Sequence, residues 1–546
     1  MVKKFTSRQI EGLISEGKVI VIYENSVLNL TSWLKYHPGG DKAVYHMVGR
    51  DATDEMLAYH SEESIATFSK WKIGEIDTMW KNLLPPIQGA VYPSNTKRAK
   101  TSDSLGEKLD SGSPITSDDA SSETSVELED LEVNPKLHQA GSPSGPVKPV
   151  VPQNIEYVNS SNKEQLYPIT GTGAIVDPKE LMRQFDNGLV REELSRLPDL
   201  DYGTQNQIRE KYEKLHATVI KNGFYKCHYS NYVREVVKIA SLFLYSFSFL
   251  HLGYYFLSAL FMGTAWHQMT FIAHDAGHVS ISHNYQIDNL FGMIIADWFG
   301  GLSLGWWKRN HNVHHLITND PVHDPDIQHL PFFAVSTRLF GDVYSTYYDK
   351  VLWLDAFAKK VIPFQEYLYY PILTFGRFNL YRLSWTHLLL GQGPRHGKAA
   401  WFSVEGGWNK FMFVMISHMA TMLVHVQITL SHFAMSTADL GVSESFASRQ
   451  LRTTMDVDCP GWLDFLHGGL QFQAIHHLFP RLPRHNLRRV QPFVIEFCED
   501  VGLPYSIYGF GKGNEVVIGK LSEIGKQCSI MLECTRKMKD DQHPFT

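Results

Sequence analysis

Histidine is the residue from which the chemistry of this chain is best read. Of its 546 residues, 26 are His. Three short groups stand out: His274-Asp275-Ala276-Gly277-His278, His311-Asn312-Val313-His314-His315 and Gln473-Ala474-Ile475-His476-His477. On a helix, spacings of three and four residues put side chains on one face. Neutral imidazole binds Zn, Cu, Fe and Ni alike, so ligand type alone does not name a metal. One HxxxH is a weak signal. Three groups flanking apolar stretches point to one shared metal site. HExxH is absent from the sequence, so a zinc-protease reading finds no motif.

A second constellation lies near the N-terminus. His37-Pro38-Gly39-Gly40 is followed by Gly49-Arg50-Asp51-Ala52-Thr53 and then His60-Ser61. Two His on separate loop–helix segments, with glycines that let backbone approach a porphyrin, suit the two axial positions of a haem. His46 lies between them and is expected to be a surface residue.

The elements that must position these residues fall into three zones. Residues 1–80 alternate short strand-like and helix-like patches, with Val19–Tyr23 β-rich and Glu24-Asn25 a turn signal. Residues 81–165 are rich in Ser, Asp, Glu and Pro and poor in large apolar residues. Such a stretch cannot offset its ordering entropy and reads as a disordered linker. Residues 166–546 are apolar and aromatic in blocks.

Ile239–Phe271 carries no Asp, Glu, Lys or Arg, and it exceeds one membrane span of about 20 residues. Ala399–Met435 forms a second block. Ile287–Trp307 and Val361–Phe375 are weaker and are expected to lie along the interface. If the three groups share a site, an even number of crossings separates them, which predicts about four transmembrane helices. His418, His425 and His432 recur every seven residues and would share a helix face. His267, His323 and His467 are left out of the site.

The bulk numbers exclude some classes. A balance of 51 Lys+Arg against 57 Asp+Glu gives a formal charge of −6, which offers no basis for nucleic-acid binding. Five scattered cysteines without a CxxC suit a reducing, cytosol-facing protein. The N-terminal segment lacks the apolar core of a secretory signal, so membrane targeting is expected from internal spans.

Residues 5 to about 76 resemble cytochrome b5, on HPGG, DAT and His60-Ser61; Asn29 stands where that family usually has Asp. Residues from roughly 200 to 510 resemble the membrane fatty-acid desaturases, in the cytochrome b5-fused branch with HDxGH, HNxHH and a third box that begins with Gln. The flanking Gly468–Gln473 and His477–Arg481 match as well. The resemblance implies an N-terminal α+β haem domain, a linker and an all-α polytopic membrane domain. It implies haem b on His37 and His60, and two non-haem iron ions on His274, His278, His311, His314, His315, His476 and His477. His432 would be an additional ligand from the last span, and Gln473 a weak or outer ligand.

The same resemblance implies O2 as co-substrate and electrons from NADH through a cytochrome b5 reductase. It places the chain in the endoplasmic reticulum membrane, with haem and iron facing the cytosol. Front-end acyl desaturases usually carry Ile-Glu between the Gln and the paired His. Here Ala474-Ile475 stands instead, as in fungal sphingolipid delta-8 desaturases, so the expected substrate is the long-chain base of a sphingolipid. The alternatives are a front-end acyl desaturase, a cytochrome b5-fused lipid hydroxylase, and a membrane-tethered haem carrier with inert histidines.

Overall fold

The computed structural model describes residues 2–76, 79–93, 177–390 and 407–542. Its N-terminal unit is α+β, as expected. Strands β1 (Lys4–Phe5), β2 (Ile20–Tyr23), β3 (Ser26–Asn29) and β4 (Lys72–Ile76) form one sheet in the order β1-β4-β3-β2. The β-branched run Ile20-Val21-Ile22 pairs antiparallel with β3 across a tight turn, where Glu24 takes a φ of 53°. Asn29 does the work of the usual Asp, since its Oδ1 accepts from Thr31 N at 3.1 Å and Thr31 Oγ1 at 2.6 Å.

Helix α1 (Ser7–Ser15) starts on a capping box between Thr6 and Gln9. Helices α2 (Asp41–Tyr45), α3 (Thr53–Tyr59) and α4 (Glu62–Ala66) complete the unit. Ile10, Ile20, Ile22, Val27 and Leu28 form its dry centre.

Residues 79–93 belong to this unit, although the linker was expected from 81. Trp80 is buried and donates Nε1 to Gly49 O at 3.0 Å, and Leu83 N donates to the same carbonyl at 3.0 Å. The rest of the expected linker, 94–165, lies outside the described residues. His46 is not on the surface: it is 0% exposed, its ring 5.5 Å from that of His323 and its Nδ1 3.1 Å from Gln88 Nε2. Both partners are distant in sequence, which is why its burial was missed.

The second unit is mainly helical. Helices α5 (Pro178–Leu194) and α6 (Tyr202–Lys221) precede a long hairpin, α7 (Tyr229–His251) and α8 (Tyr255–Gly277). Each arm has 23 residues, about 34 Å at 1.5 Å per residue, enough for a hydrocarbon core of about 30 Å. Leu244, Tyr245, Phe247 and Phe256 point outward. Between the arms Ser246 Oγ donates to Ser258 O at 2.9 Å and Ser258 Oγ to Ser246 O at 2.7 Å, polar contacts suited to an apolar surround.

Short helices α9 (Tyr285–Met293) and α10 (Leu304–Leu316) follow, joined through a π-helical turn at Ile294–Phe299. At 9 and 13 residues, neither helix has the length to cross a membrane. Then come α11 (Gln365–Thr374), α12 (Gly376–Leu389), α13 (Gly407–Met419), α14 (Met422–Phe433), α15 (Phe446–Thr453), α16 (Gln473–Leu478), α17 (Leu487–Val501) and α18 (Phe510–Gln542).

Two expectations change. The helical unit is not all-α, since Val343–Ser345 pairs with Lys350–Leu352, and Asp456–Asp458 runs parallel to Ile507–Gly509. These short pairs brace loops, so no long periodic segment announced them. The count of about four spans is not established either. Among the described residues one stretch, Phe411–Phe433, is long and apolar enough by composition, with mean hydropathy 1.6. The first arm of the hairpin carries Arg234, Glu235 and Lys238 near its start.

Helices α8 and α13 approach at Gly263, where an added Cβ would run into the Ser417 carbonyl oxygen and the Ala420 side chain. Gly263→Ala is therefore expected to cost about 1–3 kcal/mol, the range for overpacking, and to lower the thermal midpoint of the detergent-solubilised protein. An unchanged midpoint would show that the two backbones do not meet there.

Candidate metal centre and haem pocket

Four helices converge to bring the histidines together. His274 lies in the last turn of α8 and His278 caps it. His311, His314 and His315 lie on α10, His476 and His477 on α16, and His432 near the end of α14. The donor atoms of His274, His278, His311 and His476 lie within 4.8 Å of one another, as do those of His314, His432 and His477. His315 stands between the two groups. Its ring stacks on that of His477 at 4.0 Å, and its Nε2 is 3.0 Å from His311 Nε2.

Local sequence explains how these turns are aimed. Ser303 caps α10, its Oγ accepting from Trp306 N at 3.2 Å. Gly468 and Gly469 take φ values of 59° and 96°, and a Cβ at Gly468 would strike the Phe271 ring of α8, so the third box is drawn against the first. Asp456 then anchors the start of α16 by accepting from Ala474 N at 2.8 Å. Asp275, the acid within the first box, is tied to Tyr232 Oη at 2.6 Å and to Arg484.

This donor set suits metal ions. Nε2 of His278, His476 and His477 and Nδ1 of His315 and His432 are buried without a hydrogen-bond partner. Orphaned buried nitrogens are costly and rare, and a bound cation would satisfy them. Burial holds His315, His476 and His477 well below the usual imidazole range, with neighbouring histidines adding to the effect, so their lone pairs are free at neutral pH. At His314 burial acts the same way, but Asp324 and Asp326 outweigh it and raise the group to about 8.

The sequence reading missed the partners that orient these rings. Asp324 Oδ2 lies 2.8 Å from His314 Nδ1, Asp326 Oδ2 3.3 Å from His311 Nδ1, and Gln450 Oε1 2.9 Å from His477 Nδ1. Asp326 also joins His311 and His314 in a third group of possible donors. The acid-rich Asn319–Asp326 segment directly after the second box was the available signal, whereas Gln450 offered none.

Gln473 is buried at the start of α16, one turn before His476 and His477. His418 stacks on Phe378 at 4.5 Å and His425 packs on Gly376, so of the seven-residue series only His432 enters the centre. His267, His323 and His467 lie outside it.

In the N-terminal unit the rings of His37 and His60 are 6.3 Å apart between centroids. That gap accommodates one metal ion with two imidazole bonds of about 2 Å each. His37 Nδ1 bonds Gly40 O at 2.7 Å and His60 Nδ1 bonds Met56 O at 3.0 Å, which leaves each Nε2 free to ligate. Burial lowers His37, and burial followed by the proximity of His37 lowers His60 to about 4. A Cβ at Gly39 would stand 2.9 Å from His37 Cε1, so the loop requires glycine there.

Comparisons with known proteins agree with this geometry. Residues 6–77 match the cytochrome b5-like heme/steroid binding domain, and residues 250–509 match fatty acid desaturase. The chain is 62% identical to a delta 8-(E)-sphingolipid desaturase of Candida albicans, over 99% of this chain and 98% of the relative. It is 47% identical to the protein of that description from Emericella nidulans, over 97% and 96% of the two chains. An acyl-lipid (9-3)-desaturase of Borago officinalis is 36% identical over 50% of this chain and 64% of its own length. A haem-type N-terminal unit fused to a helical unit with gathered histidine boxes, and end-to-end likeness to such proteins, lead to one conclusion: the chain belongs to the fatty acid desaturase family, in its cytochrome b5-fused branch.

Proposed function

We propose that this chain is an O2-dependent oxidoreductase that introduces a trans double bond at the delta-8 position of a sphingolipid long-chain base. The observation that carries the reading is the two-compartment histidine set joined through His315, in a chain that matches sphingolipid desaturases over 99% of its length. His274, His278, His311 and His476 would hold one iron ion, and His314, His432 and His477 the other, with His315 between them. Gln473 is left as an outer neighbour of His476 and His477. His37 and His60 would hold haem b.

Bound iron supplies, with O2, an oxidant strong enough to remove hydrogen from two adjacent methylenes. Balance requires O2, two electrons and two protons; the substrate gives up two hydrogens and two waters leave. The chain's own residues orient this chemistry. Asp324, Asp326 and Gln450 fix the ring orientation of His314, His311 and His477, and Asp275 with Arg484 ties the first box to the segment after the third. Electrons would come from NADH through a cytochrome b5 reductase, one at a time. The long hairpin and the α13–α14 stretch would seat the chain, as a multi-pass protein, in the endoplasmic reticulum membrane with both sites on the cytosolic side.

Expression in a host without sphingolipid or polyunsaturated desaturation, followed by lipid mass spectrometry, tests the reaction. Long-chain bases two hydrogens lighter are expected. Desaturated acyl chains would move the substrate, and a gain of oxygen would make the enzyme a hydroxylase. Metal analysis should separate the two sites: His60→Ala is expected to lose the haem absorbance and keep non-haem iron, and His476→Ala the reverse. Asp324→Asn removes an orienting carboxylate and is expected to lower iron affinity or turnover about 10–100-fold, read by iron content against chelator concentration.

A further inference from the structure

The two units share a hydrophobic core. Ala58 of α3 is fully buried in the cluster that contains Ile208, Tyr212, Phe446 and Leu451 of the helical unit, and Leu316 of α10 packs on the core of the N-terminal unit. Ion pairs rim the contact. Arg209 reaches Asp51 at 2.8 Å, Arg309 reaches Asp41 at 3.1 Å, and Lys42 reaches Asp349 at 2.7 Å.

Inside that rim, three contacts link the segments bearing His37 and His60 to the segments bearing the histidine groups. Asn312, beside His311, donates Nδ2 to Gly39 O at 3.1 Å. Arg481, just beyond the third box, donates Nη1 to His60 O at 2.7 Å. Tyr59, next to His60 in the chain, sets its ring edge-on to that of His315 at 6.1 Å and 84°. The Tyr59 hydroxyl is buried without a hydrogen-bond partner, so the ring and not the hydroxyl makes this contact.

We infer that this docked face is the electron-entry surface, and that Tyr59 is the positioning residue that bridges His60 to His315, with Asn312 and Arg481 holding the register. The inference rests on the reading that the two sites hold haem and iron. Each transfer would move one electron from a reduced haem held by His37 and His60, leaving it ferric, to iron held by the histidine groups, reducing it by one. No bond forms or breaks, and no proton leaves Tyr59, whose hydroxyl faces no acceptor. Two transfers supply the two electrons that the desaturation needs besides those from substrate.

The test uses the full-length holoenzyme in detergent, without oxygen or lipid. The haem is flash-reduced by a photoexcited flavin, and its reoxidation is followed by absorbance. Tyr59→Leu is expected to slow reoxidation by about tenfold or more, as a misplaced contact does, with haem spectrum, midpoint potential and non-haem iron content unchanged. Tyr59→Phe, which keeps the ring and loses only the unpartnered hydroxyl, should keep the native rate. Should Tyr59→Leu fail to fold, Lys42→Glu at the rim should slow transfer and the added Asp349→Lys should recover it. A native rate in Tyr59→Leu, a slowed rate in Tyr59→Phe, or no reoxidation in the native chain overturns the inference. Because no lipid is present, a wrong substrate assignment would leave this result standing and would appear only in the product analysis.

Discussion

Bringing eight imidazoles together from four helices is the constraint on which the rest of this structure depends. Nitrogens that point into a buried space without partners are unfavourable by themselves, and a cluster of them persists only if the surrounding fold holds each ring in place. Much of the helical unit does this. The glycines before α16 let the third box lie against Phe271 of α8, and Asp456 fixes where that helix starts. Asp324, Asp326 and Gln450 take up the outward nitrogens of three rings. The site is thus built from a layer of gathered imidazoles and a layer of orienting acceptors, and the second is drawn largely from loops.

The N-terminal unit meets the same constraint in a smaller form. Two rings must face across a fixed gap, so each has its Nδ1 tied to a main-chain carbonyl and its free nitrogen left inward. The backbone that makes this possible is also the backbone that touches the other unit. Gly39 leaves room for His37 and at the same time offers its carbonyl to Asn312. One glycine therefore serves both the pocket and the interface. Acidic Asp41 and Asp51 facing Arg309 and Arg209 set the orientation, which charge pairs do better than they add affinity.

Membrane seating follows a different logic. The α7–α8 hairpin is long and outwardly apolar, but the ion-pairing residues at its start belong to the site side: Glu235 reaches Arg484, which in turn holds Asp275 of the first box. The polar end of this arm thus extends the helix towards the gathered histidines. Among the described residues, the Phe411–Phe433 stretch alone is long and apolar enough by composition to cross a membrane.

The sequence by itself determined the three histidine groups and the two-unit plan. Spacings of three and four residues are local properties of a helix, and HPGG is a local property of a loop, so both can be read without a fold. It also carried the substrate distinction, through Ala474-Ile475, as a matter of likeness alone. Only the tertiary structure decided that His432 joins His314 and His477 while His418 and His425 do not: a break between α13 and α14 sets His418 apart, and His425, two turns before His432 on α14, packs on Gly376 instead. It alone located Asp324, Asp326 and Gln450 behind the rings, buried His46 against His323, and placed Tyr59 against His315. Each of these depends on residues that approach in space across long separations in sequence, which no local spacing encodes.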